Sequence, residues 1–215
     1  ICCCGISNQR ETFLLWDRSG SPLTPAVVWQ CKRSIPVCSR LIKAGHDRLI
    51  REKTGLFTDP YFSGSKIIKL AEDDESIRKK IDAGEAFFGT VDSWLLYRLT
   101  NGQSYKTDYT NASRTMLFNL KTLSWDGELL KLFGLESLNL PEPLPSGADF
   151  GKTDFGGILA SPLQITAMIG DSHAAAFGER LTAVDAEAHL IFCGRPQDAG
   201  RAIAMLDNEG DANHR

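Results

Sequence analysis

Apolar and β-rich residues alternate over 2–6 and again over 12–16, which predicts two strands, and Asp17-Arg18-Ser19-Gly20-Ser21-Pro22 has the composition of a turn after the second. A third short strand is predicted over 26–29. From Ile35 the spacing becomes helical: Val37, Leu41 and Ile42 fall on one face, Leu49 and Ile50 open a second stretch, and Gly45 and Gly55 punctuate the two. Ile67, Ile68 and Leu70 continue the helical region, and the acids between 72 and 75 read as its solvated end. A short buried link over 87–90 leads into a helix over 91–99, closed by Asn101-Gly102. Asp126 stands where an N-cap belongs, ahead of a helix whose Leu129, Leu130 and Phe133 face inward. Pro141, Pro143, Pro145, Gly147 and Gly151 mark a loop; beyond it, 164–169 predicts a buried strand and 172–177 a helix start. Such interleaving of strands and helices predicts an α/β class. After Gly178 the pattern fades, and within 179–215 the residues 190–193 alone resemble a strand.

With 215 residues, 42% of them hydrophobic, the chain can bury a substantial core. A formal net charge of -3 leaves no basic face for nucleic acid and no attraction to an anionic membrane. No apolar run approaches the roughly 20 residues that span a bilayer, so a cytoplasmic protein is expected. Of the six cysteines, Cys2, Cys3 and Cys4 are consecutive, and Cys31, Cys38 and Cys193 form no CxxC pair. They read as small half-buried residues in a reducing compartment, with no metal site implied. Residue 1 is Ile and opens inside a strand pattern, which predicts a longer reading frame.

The segment with most chemical content is Ile169-Gly170-Asp171-Ser172-His173-Ala174-Ala175-Ala176-Phe177-Gly178, where an apolar strand ends at a glycine and an acid before a small-residue helix. Asp171 is thereby placed at the C-terminal end of a strand, where open α/β sheets bind ligands. A carboxylate there can take the proton of a hydroxyl that attacks a phosphoryl group. It can equally be an N-cap. The neighbouring Ser172 and His173 do not make a hydrolase triad by adjacency, because a triad is defined in space.

Five further segments bear on that choice: Gly5-Ile6-Ser7-Asn8-Gln9-Arg10-Glu11-Thr12, Val28-Trp29-Gln30, Asp59-Pro60-Tyr61-Phe62-Ser63-Gly64, Gly89-Thr90-Val91-Asp92-Ser93-Trp94-Leu95 and Thr107-Asp108-Tyr109-Thr110-Asn111-Ala112-Ser113-Arg114-Thr115-Met116. Together, and in this order from Gly5 to Gly178, they resemble the FGGY carbohydrate kinases, the glycerol kinase branch most of all. The resemblance implies a ribonuclease H-like, actin-like α/β domain over 1–178, a mixed sheet flanked by helices, with 179–215 a divergent tail. It implies that Arg10 and Glu11 hydrogen-bond the hydroxyls of a small polyol, that Trp29 packs on its carbon chain, that Tyr61 adds a phenolic hydroxyl and that Asp171 is the catalytic base. Guanidinium donors beside carboxylate acceptors suit vicinal hydroxyls, which both donate and accept. Read without the resemblance, the same residues are surface charges and core aromatics. Ser172 departs from the pattern, since a glutamine amide often contacts the polyol there.

Family members work on Mg-ATP. They open with a hairpin bearing an Asp-x-Gly-Thr signature and carry a Gly-Thr-Gly phosphate loop soon after the catalytic acid, then a second domain. Neither signature, nor a GxxxxGK[ST] motif, occurs here. The expectation is therefore a fragment that does not grip Mg-ATP tightly, whose first strand has an open edge prone to homo-oligomeric or non-specific association. A kinase for glycerol comes first; a kinase for xylulose, ribulose or gluconate, and a non-catalytic polyol-binding remnant, are the alternatives.

Overall fold

The computed structural model describes residues 3–178. In chain order, the elements are β1 (Cys3–Asn8), β2 (Phe13–Trp16), α1 (Ile35–Lys43), α2 (Asp47–Thr54), α3 (Ser63–Asp73), α4 (Glu75–Asp82), β3 (Phe87–Thr90), α5 (Val91–Leu99), β4 (Lys106–Asp108) and α6 (Tyr109–Ala112). They continue with β5 (Phe118–Asn119), β6 (Ser124–Trp125), α7 (Gly127–Phe133), β7 (Glu142–Leu144), β8 (Gly151–Thr153), β9 (Leu163–Gly170) and α8 (Asp171–Gly178). The class is α/β, with small sheets between helices.

The pairing that matters most is between β1 and β9, which run parallel with Asn8 opposite Gly170. Strands that run parallel and end in register deliver their next residues to the same place, although about 160 positions separate them in sequence. Arg10 and Asp171 therefore leave the sheet side by side. β9 is anchored by Ile165 and Met168, both fully buried with Ile6, Leu96 and Phe150, and its other edge takes β8 antiparallel. β1 is the outer strand of this sheet among the described residues. β2 pairs antiparallel with β3, and Phe13, Leu15 and Phe88 enter the largest core together with Val37, Leu41, Ile50, Ile67 and Leu129. Among the described residues, no helix is long and apolar enough to cross a membrane.

Local differences from the sequence reading have physical reasons. The strand expected over 26–29 is a single bridge, Val27 to Phe13, on the edge of β2 opposite β3, because the chain turns directly afterwards, the Cys31 amide donating to the Val28 carbonyl at 3.0 Å. Residues 87–90 are that strand rather than a link. Ile42 is 50% exposed: the buried face of the short α1 is Val37, Cys38 and Leu41, and Ile42 lies a further 100° or so around the helix. The acids between 72 and 75 span a junction of two helices, where Asp74 caps α4 by accepting from the Ser76 and Ile77 amides. The proline-rich stretch holds β7 and β8, with Pro143 tolerated because β7 pairs on one side alone, with β4. Residues 190–193 lie outside the described residues.

Candidate active site at the ends of β1 and β9

After β1 the chain makes a three-residue turn in which the Thr12 amide donates to the Arg10 carbonyl at 2.7 Å. Its central residue, Glu11, is forced to φ 64°, a conformation that costs a non-glycine residue about 1–3 kcal/mol. Two contacts hold it there. The Ser63 hydroxyl donates to the Glu11 carbonyl at 2.9 Å, and Arg114 donates through Nε to Glu11 Oε1 at 2.6 Å. Both charged partners are almost fully buried, and the Arg114 guanidinium lies over the Phe62 and Tyr61 rings at 4.9 and 5.8 Å.

Arg10 is also buried, and it points across to the start of α8. Its Nη2 donates to Ser172 Oγ at 3.0 Å, Nη1 lies 3.2 Å from His173 Nδ1, and Nε lies 3.9 Å from Asp171 Oδ1. Burial lowers the Arg10 pKa, an effect that the Glu11 and Asp171 carboxylates oppose and Arg114 reinforces. Asp171, by contrast, is 56% exposed, so its carboxylate can meet a molecule arriving from outside. Gly170 is required here, because a Cβ on it would stand 2.5 Å from Arg10 Cδ.

α6 supports both strand ends. Thr110 Oγ1 accepts from the Gly170 amide at 2.8 Å and donates to Asp108, while Asn111 and Asn8 exchange two side-chain hydrogen bonds at 3.0 and 3.2 Å. Asp108, fully buried, caps α6 through the Thr110 and Asn111 amides.

The aromatic side is formed by Trp29, 37% exposed, and Tyr61, edge to face at 5.7 Å between ring centroids. Burial, and then the Glu11 carboxylate, raise the Tyr61 phenol above its ordinary pKa. Beneath them Lys66, with no exposed surface, donates from Nζ to the carbonyls of Val28, Trp29 and Tyr61 at 3.1, 3.0 and 3.0 Å. Burial lowers its pKa below the usual lysine value.

Thus the residues singled out in the sequence form two adjoining groups: Arg10 with Asp171 and Ser172, and Glu11 joined through Arg114 to Tyr61 and its partner Trp29. Sequence reasoning missed the Arg114–Glu11 pairing, the contact of His173 with Arg10, and Lys66. Arg114 sits in a family-like segment, but nothing in a sequence pairs it with Glu11. For Lys66 a signal existed: Ser63, Gly64 and Ser65 precede it, and small residues at successive helical positions indicate packing on every side.

Residues 1–178 match the N-terminal domain of the FGGY family of carbohydrate kinases. The chain belongs to this family. It is 49% identical over 176 residues to a glycerol kinase of Thermus brockianus, covering 81% of this chain and 35% of that protein. It is 44% identical over 212 residues to a glycerol kinase of Pseudomonas entomophila, covering 96% and 39%. The structure of a Plasmodium falciparum glycerol kinase with ADP superposes with a TM-score of 0.78 at 37% identity, over 84% of this chain and 36% of that one. The fold is accordingly the actin-like one of these kinases, and the chain spans well under half the length of the relatives it matches.

The family implies Mg-ATP, and the described residues do not by themselves fit it. Among them no group of three or more His, Cys, Asp or Glu side chains could hold a metal ion. The buried cations at the site, Arg10 and Arg114, donate to Ser172 and Glu11.

Proposed function

We propose that this chain is the acceptor-binding part of a glycerol kinase-type phosphotransferase, with Asp171 as general base and Arg10, Glu11, Trp29 and Tyr61 as the polyol pocket. The observation that carries the proposal is the convergence of a buried arginine and an exposed carboxylate at the paired ends of parallel β1 and β9, 3.9 Å apart. A polyol hydroxyl at Asp171 can pass its proton to the carboxylate as its oxygen becomes nucleophilic. Arg10 keeps a positive charge beside that carboxylate. The neighbouring hydroxyls meet donors from Arg10 and acceptors from Glu11, and the carbon chain lies against Trp29. In this reading the phosphoryl donor is Mg-ATP, the partner is a small polyol rather than nucleic acid or membrane, and the compartment is the cytoplasm.

Glycerol is the acceptor favoured by kinship. One observation favours a longer polyol as the second reading: Ser172 is short and its hydroxyl accepts from Arg10, so it reaches less far toward an acceptor than an amide side chain would. The deciding experiment is Asp171→Asn in a chain of the relatives' full length, assayed by ADP release with glycerol, xylitol and ribitol. Turnover falls about 10²–10⁴-fold, the usual contribution of a general base, while polyol affinity is kept. Near-normal turnover would return Asp171 to a capping role.

A further inference from the structure

A lysine with no exposed surface needs a reason, because a buried ammonium costs several kcal/mol unless its donors are satisfied. Lys66 has three N–H donors and meets three carbonyl acceptors, all between 3.0 and 3.1 Å. Their placement is informative. Val28 and Trp29 lie on a segment whose pairing to the sheet is one bridge at Val27, and Tyr61 lies on the turn before α3. Neither segment is fixed by a strand ladder. The Trp29 amide has one further hold, donating to Thr12 Oγ1 at 3.2 Å. Lys66, in contrast, belongs to a helix whose Ile67, Leu70 and Ala71 are in the main core. One rigid point thus ties down both segments at the residues that carry the two pocket aromatics.

We propose that Lys66 is a positioning residue that sets how Trp29 packs against Tyr61, and through it the shape of the aromatic wall that selects the length of the polyol. This rests on the polyol reading above. Lys66 does not reach the polyol; it acts through the backbone of the two residues that do. A carbonyl clamp of this kind works only if one nitrogen serves all three acceptors. A planar guanidinium spreads its donors and cannot reproduce it. A methionine has the length but no donor.

The test uses the whole chain and the variants Lys66→Arg and Lys66→Met, with Trp29→Phe to isolate the Trp29 signal by difference. Two quantities are measured: acrylamide quenching of Trp29 emission, and the affinities for glycerol and ribitol. Releasing the Trp29 and Tyr61 backbones should raise the glycerol Kd about tenfold in Lys66→Met. In Lys66→Arg, which keeps charge and bulk and decides the matter if Lys66→Met does not fold, the ratio of glycerol to ribitol affinity should shift toward ribitol while Trp29 becomes more quenchable. A merely structural lysine would weaken both polyols by the same factor, or neither, and that result overturns the proposal. If the wild-type chain binds neither polyol, the polyol reading fails separately. Quenching then decides the clamp alone, unchanged Trp29 exposure in Lys66→Arg overturning it.

Discussion

Glu11 and Gly170 show how much of the site depends on single backbone positions. Glu11 tolerates φ 64° because Arg114 and Ser63 over-determine it, and the strained turn is what sends Arg10 and Glu11 to neighbouring places. Gly170 lets the Arg10 stem pass over the end of β9. We expect Gly170→Ala to push Arg10 away from Ser172, since the new Cβ would lie 2.5 and 2.7 Å from its Cδ and Cγ. Stability should fall by about 1–3 kcal/mol through overpacking, and glycerol affinity should fall with it. Chemical denaturation and calorimetry measure the two. A normal affinity in the folded variant would mean that Arg10 is not held in place by Gly170. The strand-end acid and the Arg10-Glu11 pair were legible in the sequence because each lies inside a recognisable segment. For Lys66 the small residues before it were the one signal, and an indirect one, since a lysine in an amphipathic pattern is ordinarily solvated and its burial depends on the 28–29 segment folding over it.

At the scale of elements, strands and helices with clear local signals were legible, and those defined by distant partners were not. α7 is an instance of the first kind: Asp126 caps it, accepting from the Glu128 and Leu129 amides at 3.0 Å each. Lys53 adds an ion pair at 2.9 Å. β7 and β8 are of the second kind, since their three-residue segments acquire strand character only from β4 and β9. We expect Asp126→Ala to destabilise the chain by about 1 kcal/mol through the lost cap, with a further loss from Lys53. Asp126→Asn should retain most of the cap and lose only the pair. Burial raises the Asp126 pKa, but Lys53, Asn119 and the Leu129 amide outweigh it and leave the carboxyl below its ordinary value. Its contribution is therefore present above the ordinary carboxylate range and lost as pH falls through the depressed pKa. Denaturation midpoints of the two variants, compared at neutral and acid pH, check this; an equal loss in both would mean that the cap contributes nothing.

For the whole molecule, the internal order of α5 and β4 carries a titration of opposite sign. Asp92 is completely buried and accepts from Thr107 Oγ1 at 2.7 Å; burial first, then the charge of Asp108, push its pKa from 3.8 up to about 6. A raised carboxyl binds its proton more tightly folded than unfolded. Stability from this group is thus full below about pH 4 and declines as pH rises through about 6, by on the order of 3 kcal/mol. Asp92→Asn should remove that decline. The difference in unfolding free energy between wild type and variant, followed from about pH 4 to about pH 7, is the check, and a difference that does not change over the window contradicts it.

What unites the two strand ends, the α6 support and the Trp29–Tyr61 wall is a single expectation, that a small polyol binds where Arg10 and Glu11 emerge. The most direct test is a calorimetric titration of glycerol into the chain and into its Arg10→Ala variant, with folding of both verified by circular dichroism. Saturable one-site binding to the wild type, weakened about tenfold or more in the variant, is the expected result for the loss of charged hydrogen bonds to a bound hydroxyl. No binding by the folded wild-type chain, or equal affinity in the two, contradicts a polyol site at these residues.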